Sequence, residues 1–418
     1  MITGLPSKMT DKASQLTRVF TFLLICFIVT SPLNNSYEIA GMMNGTLAAS
    51  ASTLGVPAWT ASLTPIYIKV LKDIFILLSV LLLAVGCIKS PKSGRIFLTG
   101  PFIPVNLFLI VLTLSALYSL TFLPAEIVLI GVRAYWSIIL VYVGAFYCRF
   151  KEGDIYPFVV GVFSLQILLQ AIQFVTDVGF NVYFDHRSPG LFIIPSTAGA
   201  FALLVHYFSI KFNSSALRIG SAISLWLSNS TTGLLILIVY YIYAYRNRVK
   251  PKILFYPIYL VAVVAAGYLL ISNLGEVTGR GEGASFSALT RLGLIYVAFS
   301  HWQNLMFGQG MGIATSQAFI SGYSNAVIAD NTYLGILYNT GLVPVLLILV
   351  FVVGSFRYFE NKLLYLVLLG YSMTTVIFEI NPVVQITLIL LGAHIGRKYA
   401  GTPAALRTRR SNPIPAPS

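Results

Sequence analysis

Apolar residues in this chain run in long unbroken blocks instead of alternating with polar ones, as in "FILLSVLLLAVGCI" and "GLVPVLLILVFVVG". Blocks of this kind suit the hydrocarbon core of a bilayer, which takes roughly 17 to 25 residues of helix to cross. The pattern predicts about twelve helical spans. They fall at 18–33, 66–88, 98–118, 125–148, 155–176, 191–210, 214–229, 230–246, 252–271, 331–353, 362–378 and 382–396. A membrane β-barrel would show ~10-residue segments of alternating polarity, and none appears. The expected fold is all-α, a polytopic transmembrane helical bundle forming one integral membrane domain over residues 1–418.

Polar breaks refine the pattern. "ALRIGSAISLWLSNSTTGLLILIVYYIYAYR" reads either as one long tilted helix or as two short ones meeting at "SNSTT". The two-helix reading returns the following basic run, "RNRVKPK", to the side it left, so it is preferred. Such a break is tolerated in a membrane only where protein or a water-filled cavity covers it. Between the spans lie three polar loops, 34–65, 177–190 and the long 272–330. The last holds "LGLIYVAFSHWQNLMF", short for a span and ending in polar residues. It is expected to lie along the interface with Trp302 at headgroup level. A thirteenth span is the competing reading.

Composition agrees with the pattern. The chain is 57% hydrophobic and 10% charged, with a mean hydropathy of +0.83, whereas soluble domains carry about 25% charged residues. The net charge of +14 would suggest nucleic acid in a soluble chain. Here it follows from the preference for lysine and arginine on the cytoplasmic side. "KSPKSGR", "RFK", Lys211 with Arg218, "RNRVKPK", Arg357 with Lys362, the N-terminal Lys8, Lys12 and Arg18, and the tail 397–418 all fall on one side. Both termini are therefore expected in the cytoplasm, with an uncleaved first span. Lys69, Lys72, Arg133, Arg187, Arg280 and Arg291 are the remaining cations. Cys26, Cys87 and Cys148 lie in spans or at their ends, so no disulfide framework is expected. The four histidines show no metal-ligand spacing, and neither metal nor cofactor is expected.

Few charges remain on the external side, and each has two readings. Arg187, Arg280 and Arg291 offer planar forks suited to phosphate, or they pair with Asp185, Glu276 and Glu282. Asp330 is a candidate general base, or it caps the helix starting at Asn331–Tyr333, since Asp and Asn favour helix N-caps. "GQGMG" brings flexible backbone near a ligand through Gly308 and Gly310, or is a plain turn. His301 is a candidate contact or an interfacial polar residue, and Glu379 joins the site or sits among headgroups. Arg133, inside a span, is a functional candidate or the partner of Glu126.

Four segments together resemble the O-antigen polymerase and ligase family, with Wzy-type polymerases among its members. "RSPGLFIIPSTAGAFALL" is similar to the family's Arg-x-x-Gly-x-Phe opening of a mid-chain span. "LSNSTTGLLILIVYYIY" looks like its Ser-x-Ser segment, and "TRLGLIYVAFSHWQNLMFGQGMG" its Arg, amphipathic helix and glycine run. "DNTYLGILYNTGLVPVLLILV" resembles its His/Asp-Asn signature. The likeness spans about residues 180–355 in the family's order.

The resemblance implies a metal-independent glycosyltransferase of the bacterial inner membrane with its site facing the periplasm. It would transfer a glycan from undecaprenyl diphosphate onto an incoming lipid-linked repeat unit. Arg187, Arg291 and Asp330 would be catalytic, and Arg280, Asn331, Gly308, Gly310 and His301 would bind substrate. Partners implied are the undecaprenyl-diphosphate-linked oligosaccharide, membrane lipid and a chain-length regulator. Ligases typically carry His where this chain has Asp330, which favours a polymerase. A ligase, a flippase or other transporter, and a non-catalytic scaffold are the alternatives.

Overall fold

The computed structural model describes residues 7–46, 65, 68, 70–176, 187–246, 293, 295–296, 299–300, 302–315, 318–319, 323, 326–327, 329 and 331–400. Among them every regular element is helical, as the block pattern requires. Five helices are long and apolar enough to cross a membrane: Gln15–Gly41, Leu71–Lys89, Gly100–Ser119, Ala125–Phe146 and Glu152–Thr176. Shorter apolar helices cover Ser215–Leu227, Thr231–Tyr245, Leu342–Ser355 and Lys362–Thr374.

The elements that position the site are α1 (Ser7–Thr30), α2 (Leu71–Lys89), α3 (Ile103–Ser119), α4 (Ala125–Tyr135), α5 (Leu140–Phe146) and α6 (Glu152–Thr176). They continue as α7 (Pro195–Lys211), α8 (Ser215–Leu227), α9 (Thr231–Tyr245), α10 (Trp302–Phe307), α11 (Thr332–Thr340), α12 (Leu342–Ser355), α13 (Lys362–Thr374) and α14 (Val383–Ala400).

Two apolar blocks are interrupted. The block at 125–148 carries a 3-10 turn over Trp136–Ile139 between α4 and α5. The block at 331–353 breaks at Gly341, whose φ of +87° no helical residue adopts. A Cβ at Gly341 would lie 2.1 Å from the Met306 carbonyl oxygen, so α10 packs directly on the joint. The "SNSTT" stretch does break into two helices. Asn229 takes a left-handed φ of +46°, and Leu225 returns to pack on Gly233. The result is a hairpin, not one tilted rod.

α7 lies at the centre, with nearly every residue from Thr197 to Ser209 buried. A helix with no exposed face belongs inside a bundle. α14 is the second central helix, and it crosses α5 at very short range. Added Cβ atoms at Gly144, Gly392 and Gly396 would meet the carbonyl oxygens of Ile389, Val141 and Ala145 at 2.1, 2.0 and 2.4 Å. Gly392 and Gly396 form the four-residue small-residue spacing that lets membrane helices touch backbone to backbone. The periphery is the reverse. Ile103, Leu107, Ile110, Leu114 and Leu117 form an exposed apolar stripe along α3, which suits lipid and not water.

The ends of the bundle differ in charge. At one end Glu152, almost fully buried, accepts from Lys211 Nζ at 2.8 Å, Arg397 at 3.2 Å and the Tyr207 hydroxyl at 2.6 Å. His394 stands 3.9 Å from Glu152 and 3.7 Å from Glu360. The loops carrying "RFK", Lys211, Arg357 with Lys362, and Arg397 thus gather together, as the charge pattern expects.

Candidate functional site

The opposite end holds the described part of the site. Arg187 is half-buried with its Nε enclosed, and it opens the turn Ser188–Leu191, whose first three residues are buried. Gly190 has φ +64°. This turn is irregular backbone inside an apolar bundle, where each unpaired N–H or C=O would be costly. Three glutamines from α6 satisfy it. Gln166 donates to Pro189 O at 3.0 Å and accepts from Leu191 N at 2.6 Å. Gln170 donates to Ser188 O at 2.9 Å. Gln173 accepts from Gly190 N at 2.7 Å and donates to Gly190 O at 3.5 Å. Ser188 N donates to Leu227 O at 2.9 Å, and Asn35 Nδ2 donates to Leu191 O at 3.1 Å. Every backbone polar group from Ser188 to Leu191 is thereby paired.

A polar belt leads from this turn to Asn331. Leu227, which receives Ser188 N–H, ends α8. Beyond the hairpin tip, Ser230 Oγ lies 3.0 Å from the Tyr371 hydroxyl and Thr232 Oγ1 donates to Thr374 Oγ1 at 3.2 Å. Next to these, Asn331 Nδ2 donates to Met373 O, and Thr332 Oγ1 donates to Thr375 O while accepting from Ile377 N, both at 2.8 Å. Asn331 Oδ1 accepts from Tyr333 N at 2.8 Å and Leu334 N at 3.1 Å. The helix α11 is therefore capped by Asn331, not by Asp330 as the sequence suggested, because it is the Asn331 side-chain oxygen that reaches its first amides.

Gly308 and Gly310 pack on protein. Gly308 (φ +72°) presses on the Asn339–Thr340 peptide, and Gly310 (φ +122°) on Leu123 and Phe122. Gly312 (φ +101°) comes closer still: a Cβ there would lie 1.9 Å from Ile127 O. Met311 N donates to Ser119 Oγ at 2.8 Å and Gln309 N to Tyr338 O at 2.7 Å. Asn339 completes the seat, accepting from Ala314 N and donating to the Tyr135 hydroxyl, both at 2.8 Å. The glycine run is a plug between α3–α4 and α11. α10, next to it, exposes Met306 and Phe307.

Arg133 pairs with Asp73 at 2.7 Å, not with Glu126. The carboxylate comes from α2, a choice made by helix packing that one-dimensional spacing does not reveal. Arg280, Arg291, His301 and Asp330 lie outside the described residues, as does the side chain of Glu379. Sequence reasoning missed the glutamines, Asn339 and the Glu152 cluster. Gln166, Gln170 and Gln173 had a legible signal: three amides at i, i+4 and i+7 fall on one face of an otherwise apolar helix. Among the described residues no group of three or more His, Cys, Asp or Glu is placed to hold a metal ion.

No protein-family model matches the chain, and no curated protein matches it.

Proposed function

We propose that the chain polymerises undecaprenyl-diphosphate-linked oligosaccharide repeat units for a bacterial surface polysaccharide or exopolysaccharide. It would act as a twelve-span inner-membrane protein with both termini in the cytoplasm and its site at the periplasmic face. The observation that carries this reading is the arginine-bearing turn, held by fully paired backbone at the end of the bundle away from the basic loops. A guanidinium carried on so well-held a turn suits the charge that builds on a departing diphosphate, because prepositioned donors need no reorganisation as the bond breaks.

In the reaction, a hydroxyl oxygen at the non-reducing end of the acceptor repeat attacks the anomeric carbon of the donor glycan. The bond from that carbon to the diphosphate oxygen breaks, and undecaprenyl diphosphate leaves with the electron pair. Asp330 takes the hydroxyl proton, while Arg187 and Arg291 bind the diphosphate. The apolar stripe on α3 and the exposed side chains of α10 would face the lipid tails.

Arg187→Ala and Arg291→Ala test the reading in a strain lacking the native copy. Each should abolish long chains while single lipid-linked repeats accumulate outside. Long chains of ordinary length in both variants would refute it. Deletion separates the classes: loss of a flippase strands repeats inside, and loss of a ligase leaves long chains on the undecaprenyl carrier.

A further inference from the structure

We infer that Gln166, Gln170 and Gln173 are positioning residues that act through the Ser188–Leu191 turn to fix Arg187 in one place.

The three side chains are essentially inaccessible, although glutamine is mostly an exposed residue. All three bond the same four-residue turn, Gln166 and Gln173 with both amide atoms and Gln170 with its nitrogen. Their orientations are also dictated. At Gln166 and Gln173 the oxygen meets a backbone N–H and the nitrogen meets a carbonyl, so rotating either amide would set donor against donor. Gln170 is itself held, since Ser224 Oγ donates to its Oε1 at 2.7 Å and its Nε2 also reaches Ser224 O at 3.2 Å. The ladder therefore ties α6 and α8 together with the turn between them.

The turn is fitted to the ladder from its own side. A Cβ at Gly190 would stand 2.5 to 2.7 Å from the amide atoms of Gln166, and the φ of +64° independently requires glycine. Pro189 contributes no N–H, which removes one donor that the ladder would otherwise have to satisfy. Leucines at these positions would fill the same space but leave the turn's buried N–H and C=O groups unpaired. Buried amides bonded to backbone instead specify one conformation, because every alternative leaves polar groups unpaired in an apolar surrounding. What they specify is the turn whose first residue is Arg187.

The test measures the turn directly and rests on the polymerase reading only in its second arm. With Cys26, Cys87 and Cys148 replaced by alanine, full-length Arg187→Cys protein is purified in detergent and its maleimide labelling rate measured. Adding Gln170→Met or Gln173→Met should raise that rate about tenfold, since removing a buried hydrogen-bond partner raises the population of locally opened turn. Ser224→Ala, which removes one bond from behind Gln170, should raise it less. Ser164→Ala, on the same helix outside the ladder, should leave it unchanged. Equal rates in all variants would overturn the inference. Should the methionine variants fail to fold, Ser224→Ala decides alone, and an unchanged rate there overturns it as well.

In the second arm, with Arg187 intact, Gln173→Met should shorten the polysaccharide at normal protein level. Faster labelling without chain shortening would uphold the positioning role and refute the polymerase reading.

Discussion

Arg133 Nε donates to Asp73 Oδ2 at 2.7 Å, tying α4 to α2 across sixty residues of sequence. A charge within an apolar helix is a functional candidate until it has a partner; here the partner is a carboxylate on a neighbouring helix. The pair should behave as a unit. Arg133→Gln and Asp73→Asn alone each break this ion pair and should lower the thermal midpoint by a few degrees. The double variant should recover most of that loss. A double-mutant cycle on purified protein checks it, and strict additivity would show that the two do not interact.

Glu152 is one carboxylate shared by Lys211 and Arg397. Glu152→Gln strands two cations beside a buried amide, whereas Lys211→Met or Arg397→Met leaves Glu152 with one cation still in place. Glu152→Gln is therefore expected to be the most destabilising of the three, because it alone breaks every contact of the cluster. Thermal unfolding in detergent ranks them, and a Glu152→Gln midpoint at or above the other two contradicts the shared-anion account.

Close backbone contacts make specific glycines irreplaceable. Gly312→Ala drives a methyl group into Ile127 O, and Gly392→Ala drives one into Val141 O. Both oxygens belong to helix backbone and have no freedom to yield, so each variant should lose most folded protein. Gly161→Ala and Gly354→Ala meet nothing within 4 Å and should be silent. Fluorescence size-exclusion yields of the four variants discriminate; a well-folded Gly312→Ala protein would exclude the plug geometry.

Asn331 and Asp330 separate by role. Asn331→Ala removes the cap of α11 and its tie to Met373, and should cost about 0.5 to 2 kcal/mol of stability. Asn331→Asp retains the accepting oxygen and should cost less. Asp330→Asn is expected to reduce chain synthesis more than protein level. If it instead removes folded protein while Asn331→Ala does not, the cap belongs to Asp330.

The helical, membrane-compatible character of the described residues was legible in the sequence because its cause is local. Hydrocarbon demands apolar blocks of a certain length, and charge asymmetry orders the loops between them. The preference for two helices at "SNSTT" followed from keeping the basic clusters on one side, and the helical blocks followed from hydropathy. A cap at the start of α11 was legible for the same reason, since a capping oxygen serves amides two and three residues away, but the sequence pointed to Asp330 and the structure gives the role to Asn331.

What only tertiary structure decided are choices among partners far apart in the chain. Asp73 over Glu126 for Arg133, the Met306 carbonyl against Gly341, and Gln166, Gln170 and Gln173 beneath Ser188–Leu191 all depend on which helices become neighbours. A one-dimensional pattern states that a buried polar group needs a partner; it does not say which. That assignment belongs to packing, because the hydrophobic effect that drives helices out of water is non-directional, whereas hydrogen bonds and backbone contacts have fixed geometry.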